Sequence, residues 1–288
     1  HVARNRQMTD WHKLGENQHV IESGERAFHY GDGLFETIAI RGGQPRLWEY
    51  HIDRLTAGCK VLGLDIPRTP VLRRRLEVAL RDSDQNTDFC TAKMIVTAGP
   101  SQRGYGRSMP TEATIYVGVY PGVPLNKQAY EKGVATIMCE TRLAIGSSVA
   151  GLKTLNRIEQ VLARSECLVT GAFEGFTRDA DDRLICGTMS NVFIVKNQEI
   201  RTPSLERCGV AGTMRRHVIE TLGREGRAVD VSDLDEKDLV DAGEVFISNS
   251  QIGVVPVQRC GGHKWPVGDT TLELMALLAT NGIDECRL

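Results

Sequence analysis

The sequence predicts a mixed α+β fold with two domains. Strand patterns alternate irregularly with helical patterns, hairpin turns are frequent, and a Pro-Gly-Val-Pro segment at residues 121–124 interrupts the chain. This irregular order differs from the regular strand–helix alternation of a dinucleotide-binding fold. A chain of 288 residues is long enough for two ordinary domains with substantial cores. We therefore expect an N-terminal α+β domain at residues 8–120, a linker at 121–128 and a C-terminal domain at 129–288.

The N-terminal domain is predicted to begin with a β-hairpin. Apolar and polar residues alternate over 36–41, Gly42-Gly43 supplies a tight turn, and residues 45–48 return as a second strand. Residues 49–62 form a predicted helix, because apolar residues recur there at helical spacing. The positions on that apolar face are Ile52, Leu55, Cys59 and Leu62. The other predicted elements of this domain are a helix at 71–81 and buried strands at 93–97 and 114–120.

The C-terminal domain shows the same mixture of patterns. Apolar residues at helical spacing predict three helices, at 155–169, 213–222 and 270–279. Short apolar runs predict four strands, at 134–140, 191–196, 199–201 and 244–248. Asn197-Gln198 joins the second and third of these strands as a hairpin turn.

Composition indicates a soluble globular protein and excludes several classes. Hydrophobic residues make up 41% of the chain and charged residues 25%, and the net charge is only -2, so neither nucleic acid nor an anionic membrane is an expected partner. No run approaches the roughly 18 apolar residues that span a bilayer, and the polar start is unlike a signal peptide. The eight cysteines form no C-x-x-C pair and are spaced irregularly, which argues against a metal site or a disulfide framework. These features favour the cytoplasm.

Lys153 is the first candidate for chemistry. It stands alone in the small, apolar stretch A-G-L-K-T-L-N-R, just before a predicted helix. Desolvation lowers the pKa of a lysine, and a neutral amine can form a Schiff base with a carbonyl compound. Taken alone the pattern is weak, because most lysines at the start of a helix are surface residues.

Three further positions could bind a phosphate. Gly212-Thr213 opens a predicted helix, where free backbone N–H groups suit an anion. Ser250 follows a strand and carries a hydroxyl, and Arg54 lies on the first helix opposite its apolar face by spacing. The alternatives are an ordinary glycine turn and a surface arginine, and the local patterns leave both open.

No other catalytic motif competes with these residues. The chain lacks G-x-S-x-G, H-E-x-x-H and a Walker loop, and Gly31-Asp32-Gly33 is too short for a Rossmann fingerprint. The seven histidines show no metal-ligand spacing. We expect His29 and His51 to be core or hydrogen-bonded residues.

Four segments in this order resemble the fold type IV enzymes that depend on pyridoxal 5'-phosphate (PLP). They are H-Y-G-D-G-L-F-E-T-I at 29–38, H-I-D-R-L at 51–55, L-K-T-L-N-R-I-E-Q-V-L-A-R at 152–164 and G-T-M-S-N-V-F at 187–193. The family includes branched-chain and D-amino-acid aminotransferases and the 4-amino-4-deoxychorismate lyases. The resemblance extends from about Glu25 to the C-terminus and implies a two-domain, usually homodimeric enzyme.

The resemblance also implies roles for individual residues. Lys153 would carry PLP and act as the catalytic base, and Thr37 is a candidate proton donor. The residues implied in cofactor binding, besides the lysine, are Arg54, Cys186, Asn191, Gly212, Thr213 and Ser250. Those implied in substrate binding are Lys93, Arg103, Arg107 and Asn249. Several cations near the site make sense for a substrate with two carboxylates. The resemblance implies no metal.

Three segments are more similar to the lyase group than to the aminotransferases. They are the run N-R-x-E-Q-V-L-A-R after Lys153, the run I-S-N-S-Q-I-G-V-V-P-V at 247–257 and R-G-Y at 103–105. They imply a lyase that converts 4-amino-4-deoxychorismate to 4-aminobenzoate and pyruvate for folate synthesis. The alternatives are an aminotransferase for D- or branched-chain amino acids and a degenerate member that binds a ligand without catalysis.

Cys186 departs from the pattern of the family. The family usually has a glutamate just before the G-x-x-x-N run, where it pairs with the pyridine nitrogen of the cofactor. Here that position is a cysteine. The departure puts the usual tuning of the cofactor in doubt and is the feature that favours the degenerate alternative.

Overall fold

The computed structural model describes residues 21–107, 111, 113–146 and 148–288. These residues form two compact units, and the mixed α+β class is confirmed. The first unit comprises the described residues up to Val123 together with Lys153–Asn156. The second comprises Pro124–Leu152 and Arg157–Leu288.

The first unit is built on an antiparallel four-stranded sheet. Its strands are β1 (Gly33–Arg41), β2 (Gln44–Pro45), β3 (Phe89–Thr97) and β4 (Thr114–Pro121). They lie in the order β2-β1-β3-β4, and Thr37 of β1 faces Lys93 of β3. Three helices accompany the sheet: α1 (Arg26–Tyr30), α2 (Trp48–Leu62) and α3 (Thr69–Arg81).

Helix α2 packs closely on strand β1. The two meet where Gly58 faces Leu34, and a Cβ at Gly58 would lie only 2.7 Å from a methyl carbon of Leu34. Ile52, Leu55 and Cys59 are buried on this face of α2, as the helical spacing predicts. Gly63 ends the helix in the left-handed conformation.

The second unit holds a larger mixed sheet. Its strands are β5 (Val134–Leu143), β6 (Glu174–Asp179), β7 (Leu184–Gly187), β8 (Asn191–Lys196), β9 (Glu199–Pro203), β10 (Val229–Ser232), β11 (Glu244–Asn249), β12 (Gly253–Cys260) and β13 (His263–Lys264). Within the described part of the chain the order is β10-β9-β8-β11-β12-β5-β6-β7, with β13 paired to β12. The accompanying helices are α4 (Lys127–Lys132), α5 (Ile158–Thr170), α6 (Thr213–Arg224), α7 (Glu236–Val240) and α8 (Asp269–Thr280), and a short 3-10 helix spans Asp284–Cys286.

Two predicted elements include residues that lie outside the observed strand or helix. The predicted return strand at 45–48 pairs only over β2, because Trp48 already begins α2. The helix predicted to begin at 155 begins at Ile158, because the residues before it are extended beside β1. There the N–H of Phe35 donates to the carbonyl of Lys153 at 3.0 Å, and the N–H of Leu155 donates to the carbonyl of Gly33 at 3.0 Å.

These main-chain bonds also bear on which of the two compact units contains Lys153. The predicted boundaries put Lys153 in the C-terminal domain, whereas its segment packs with the first unit. Helix α4 begins inside the segment predicted as a linker at 121–128. All eight cysteines are free and buried, as small hydrophobic side chains are. Among the described residues, no helix combines the length and apolar character that crossing a membrane requires.

Candidate active site

Lys153 is fixed through its main chain and lies over an aromatic ring. Its carbonyl is bonded to β1, and its amine lies 4.2 Å from the centroid of the Phe35 ring. Three residues later the side-chain amide of Asn156 donates to the carbonyl of Gly31 at 3.1 Å. Gly31 adopts φ 63°, a left-handed conformation that favours glycine. Lys153 and the three residues that follow it are therefore anchored to the first unit.

One face of β1 brings Lys153, Lys93 and Thr37 together. Phe35 and Thr37 point to the same side of the strand, because side chains alternate along it. The amine of Lys93 lies 4.9 Å from the centroid of the same Phe35 ring, and Thr37 is its partner across the strands. Burial lowers the pKa of the Lys93 amine. Two amines thus approach one aromatic ring, and Thr37 lies on the same face of the strand, an arrangement suited to proton transfer and to anion binding.

The opposite face of β1 carries a buried charged cluster of Glu36, His51 and Arg54. Nε of Arg54 donates to Oε1 of Glu36 at 2.8 Å, and a terminal guanidinium nitrogen pairs with Oε2. Nδ1 of His51 lies 2.6 Å from the same Oε2. The expectation that His51 is a hydrogen-bonded core residue is confirmed. The expectation that Arg54 lies opposite the apolar face of its helix is wrong, since its side chain is only 12% exposed and pairs with a buried strand residue.

The protonation states of this cluster follow from its partners. Burial alone raises the pKa of the Glu36 carboxyl, but the charge of Arg54 and the hydrogen bonds from His51 and Arg54 outweigh burial and bring the pKa to about 2. Burial lowers the pKa of His51, so the imidazole is neutral near pH 7 and its Nδ1–H donates to the ionised carboxylate. Nε2 of His51 is buried with no hydrogen-bond partner among the described residues.

Sequence reasoning missed Glu36 as a member of the site. A pattern was available: the glutamate occupies a position on the face of β1 that is otherwise apolar and buried. A carboxylate buried there must be paired, because the cost of desolvating an isolated charge is high. The paired cation could have been sought on the helix that follows.

The two loop arginines predicted to bind substrate are placed differently. Arg107 pairs with Asp32, with Nε 2.9 Å from Oδ2. Buried Arg26 also pairs with Asp32 and donates to the carbonyls of residues 104–106. Burial raises the pKa of Asp32, but hydrogen bonds and charge from these two arginines lower it on balance. Arg103 is exposed in the same loop.

In the second unit, Cys186 is a buried neutral thiol. It lies on β7 opposite Thr177 of β6, whose hydroxyl is 3.6 Å from its sulfur. Burial raises the pKa of the Cys186 thiol to about 11, so it carries almost no negative charge at pH 7. A thiol in this state cannot stabilise a nearby cation as a carboxylate does.

The G-T-M-S-N segment is held by one buried carboxylate, that of Glu174 on β6. Its Oε1 accepts from the N–H of Thr188 at 3.0 Å, and its Oε2 accepts from the hydroxyl of Ser190 at 2.7 Å. The N–H groups of Gly175 and Met189 also donate to this carboxylate. Sequence reasoning missed Glu174, because its partners lie 14–16 residues further along the chain.

Asn191 supports the loop that leads into α6. Its side-chain amide donates to the carbonyl of Val210 at 2.9 Å. A Cβ at Gly212 would overlap Oδ1 of Asn191. The close approach of these two residues therefore requires a glycine at position 212. Gly212 is the N-cap of α6 and no side chain caps this helix end, while Thr213 is buried in its first turn. Backbone N–H groups at an uncapped helix start suit a phosphate.

Asn249 is engaged in a turn at the end of β11. Its Oδ1 accepts from the N–H groups of Gln251 and Ile252 at 2.8 and 3.0 Å, and its Nδ2 donates to the carbonyl of Met189 at 3.2 Å. Ser250 lies inside this turn and is partly buried. The second unit thus connects the turn after β11 to the G-T-M-S-N segment.

Comparison with known proteins identifies relatives over most of the chain. A model of the amino-transferase class IV family matches residues 33–260. Aminodeoxychorismate lyase from Vibrio harveyi is 37% identical over 273 residues, which cover 92% of this chain and 98% of the relative. A putative branched-chain-amino-acid aminotransferase from Methanocaldococcus jannaschii is 31% identical and 85% of each chain is covered. The crystal structure of 4-amino-4-deoxychorismate lyase from Pseudomonas aeruginosa is similar with a TM-score of 0.86 and 37% identity, over 92% of this chain and 96% of that one.

Proposed function

This chain belongs to the amino-transferase class IV family, and we propose that it is a PLP-dependent lyase that converts 4-amino-4-deoxychorismate to 4-aminobenzoate and pyruvate. The family assignment confirms the resemblance drawn from the four sequence segments. The observation that carries the choice of lyase is the 37% identity to an aminodeoxychorismate lyase over 92% of the chain. The grouping of Lys153, Lys93 and Thr37 around Phe35 supplies the chemical groups that this reaction requires.

Each unit, taken by itself, offers residues suited to holding part of the proposed cofactor. Lys153 would hold PLP covalently, and Arg54 would bind its phosphate. The uncapped start of α6 supports the same role for Gly212 and Thr213, with Ser250 as a further donor. PLP supplies an electron sink for the carbon that bears the substrate amine. Asn191 would act on the phosphate indirectly, since its amide holds the loop before α6.

The proton transfers can be assigned to residues of the first unit. The amine of Lys153, once released from the cofactor, would accept the proton from the ring carbon bearing nitrogen. The bond between the ring and the enolpyruvyl oxygen then breaks, and the ring becomes aromatic. The departing enolpyruvate takes up one proton to become pyruvate, and the Thr37 hydroxyl would donate it. Lys93 and Arg103 would pair with the substrate carboxylates.

An aminotransferase for D- or branched-chain amino acids is the second candidate, favoured by the relative that is 31% identical. One experiment separates the two: the purified protein is offered 4-amino-4-deoxychorismate, and separately an amino acid with an oxo-acid acceptor. We expect 4-aminobenzoate and pyruvate in equal amounts, and slower transamination. Faster transamination would favour the second candidate. A coloured protein that forms neither product would be the degenerate, ligand-binding member.

A homodimer in the cytoplasm completes the proposal. Helix α5 exposes an apolar stripe along one face, formed by Ile158, Val161, Leu162, Leu168 and Val169. A stripe of this kind on one face of a helix is typical of an interface. A second copy of the chain would cover it with the same stripe in a two-fold arrangement. The eight free cysteines agree with a reducing compartment.

A further inference from the structure

The carboxylate of Glu36 is held from two sides by residues of one helix. Arg54 and His51 lie three residues apart on α2, so both side chains reach β1 from the same face. Oε1 binds Nε of Arg54, and Oε2 binds both a terminal nitrogen of Arg54 and Nδ1 of His51. Glu36 is 1% exposed, so water does not compete for these bonds.

This geometry fixes the plane of the Arg54 guanidinium. A two-point contact with a carboxylate restricts the rotation of the long and otherwise flexible Arg54 side chain. His51 in turn prevents the carboxylate from rotating, because it binds the oxygen that Arg54 also uses. The orientation of the Arg54 guanidinium is therefore set by a strand residue.

We propose that Glu36 is a positioning residue, which orients Arg54 for the phosphate of PLP and so sets the affinity for that phosphate. The inference rests on the proposed function, since it requires PLP on Lys153. Two effects oppose each other here. The negative charge of Glu36 weakens the attraction of Arg54 for an anion, whereas the fixed guanidinium plane strengthens a directional bond. In a buried cluster with three short contacts, we expect preorganisation to exceed the Coulombic loss.

Two variants separate charge from geometry. Glu36→Gln keeps the length of the side chain but places an NH2 group against the donors of Arg54 or His51. Glu36→Asp keeps the charge but withdraws the carboxylate by one methylene, so the two-point contact is lost. Glu49→Gln, an exposed glutamate at the start of α2, is the matched control. Urea unfolding at pH 7 confirms that each variant is folded before binding is measured.

The measurement compares PLP with pyridoxal, which has the same aldehyde but no phosphate. Dissociation constants for both are taken from the visible absorption of the lysine-bound form. Loss of the alignment of a hydrogen bond to a charged group should weaken PLP binding about tenfold. We expect this for both Glu36 variants, with pyridoxal changed less than about twofold. In an Arg54→Gln background, Glu36→Gln should change the PLP-to-pyridoxal ratio no further.

The possible results distinguish three situations. Equal weakening of PLP and pyridoxal would mean that Glu36 only maintains the fold, and tighter PLP binding by Glu36→Gln would mean that its charge dominates; either result overturns the inference. Parental affinity in Glu36→Asp would also overturn it, because charge alone would then suffice. A parent protein that binds neither compound on Lys153 would refute the proposed function, and with it the inference.

Discussion

Phe35 fixes Lys153 at two points. Its backbone N–H donates to the lysine carbonyl at 3.0 Å, and its ring centroid lies 4.2 Å from the lysine amine. The main-chain bond thus fixes the backbone of Lys153, and the Phe35 ring fixes the position of its amine. The same ring approaches the amine of Lys93 from 4.9 Å, so the two lysines share one aromatic neighbour.

Borohydride reduction should attach PLP to a peptide that contains Lys153. The amine is presented on the face of β1 that also carries Thr37, where the proposed chemistry requires it. Lys153→Ala should lose nearly all turnover, because both the covalent link and the base disappear. Lys93→Met is the control and should keep the label on Lys153. Label found on Lys93 in the parent protein would refute the assignment.

Lowering the pH should remove the contribution of the ionised Glu36 carboxylate to the stability of the fold. An ionised carboxyl with a pKa of about 2 in the folded state and 4.5 in the unfolded state stabilises the fold fully above pH 4.5. This contribution is lost as the pH falls from 4.5 through about 2, and at about 1.4 kcal/mol per pKa unit it amounts to about 3 kcal/mol. The free energies of unfolding of the parent and of Glu36→Gln are measured in urea at pH 6 and at pH 3. The difference between the two proteins should be smaller at pH 3. Parallel pH dependences would contradict the paired, ionised state, and Glu49→Gln should follow the parent.

Cys186→Glu should raise transamination relative to elimination. Transamination needs a long-lived carbanion, which a protonated pyridine nitrogen stabilises, and an adjacent carboxylate would maintain that proton. The buried thiol, with its pKa of about 11, cannot do so. Elimination depends less on this proton, because the leaving group departs promptly. Both half-reactions are measured in the parent, in Cys186→Glu and in the neutral control Cys186→Ser. An unchanged ratio in Cys186→Glu would show that a different group, such as a nearby acid or water, controls the nitrogen.

Gly212→Ala should disturb the start of α6 through Asn191. The added Cβ would overlap Oδ1 of Asn191, and overpacking of this kind typically costs 1–3 kcal/mol. Shortening the clashing side chain should relieve part of the cost, so Asn191→Ala combined with Gly212→Ala should be less destabilised than the sum of the single variants. Chemical unfolding of the four proteins gives the coupling energy. Simple additivity would mean that the overlap does not limit position 212.

Leu162→Glu should convert a dimer into monomers. Leu162 is 53% exposed within the apolar stripe of α5, and a charge buried at an interface without a partner is unfavourable. Val61→Glu on α2 is a matched control, since Val61 is 55% exposed but lies outside the stripe. Sedimentation should show a dimer for the parent and the control. A monomeric parent, or a dimer that survives in Leu162→Glu, would exclude this stripe as the interface.

Sequence periodicity predicted the elements whose residues interact locally. The buried face of α2 follows from the spacing of Ile52, Leu55 and Cys59, which depends on helical geometry alone. The segment after Lys153 was misassigned to a helix because its true partners are main-chain groups of β1, more than a hundred residues earlier. Peptide groups are identical at every position, so no side-chain pattern records which of them pair.

The residues of the candidate site, too, were predicted only in part. Motifs identified Lys153 and Arg54, but they did not indicate that Glu36 and Glu174 hold the groups around them. A buried carboxylate is visible in a sequence only as an acid in an apolar run, and its partners are determined by the fold. The resemblance implies Arg107 in substrate binding, and in the structure this arginine pairs with Asp32 through a contact that spans 75 residues.

The attachment of Lys153 to β1 has a consequence for the diversity of chemistry that such a scaffold can support. Because main-chain hydrogen bonds hold the backbone of Lys153 beside β1, the position of that backbone does not depend on which side chains β1 presents. Replacements at Thr37 or at Lys93 would alter the groups that face the amine without moving its point of attachment. A few substitutions on this face of β1 can therefore change the groups around the amine while its backbone attachment stays the same. The side chains of β1 and the attachment of Lys153 beside them can thus evolve separately.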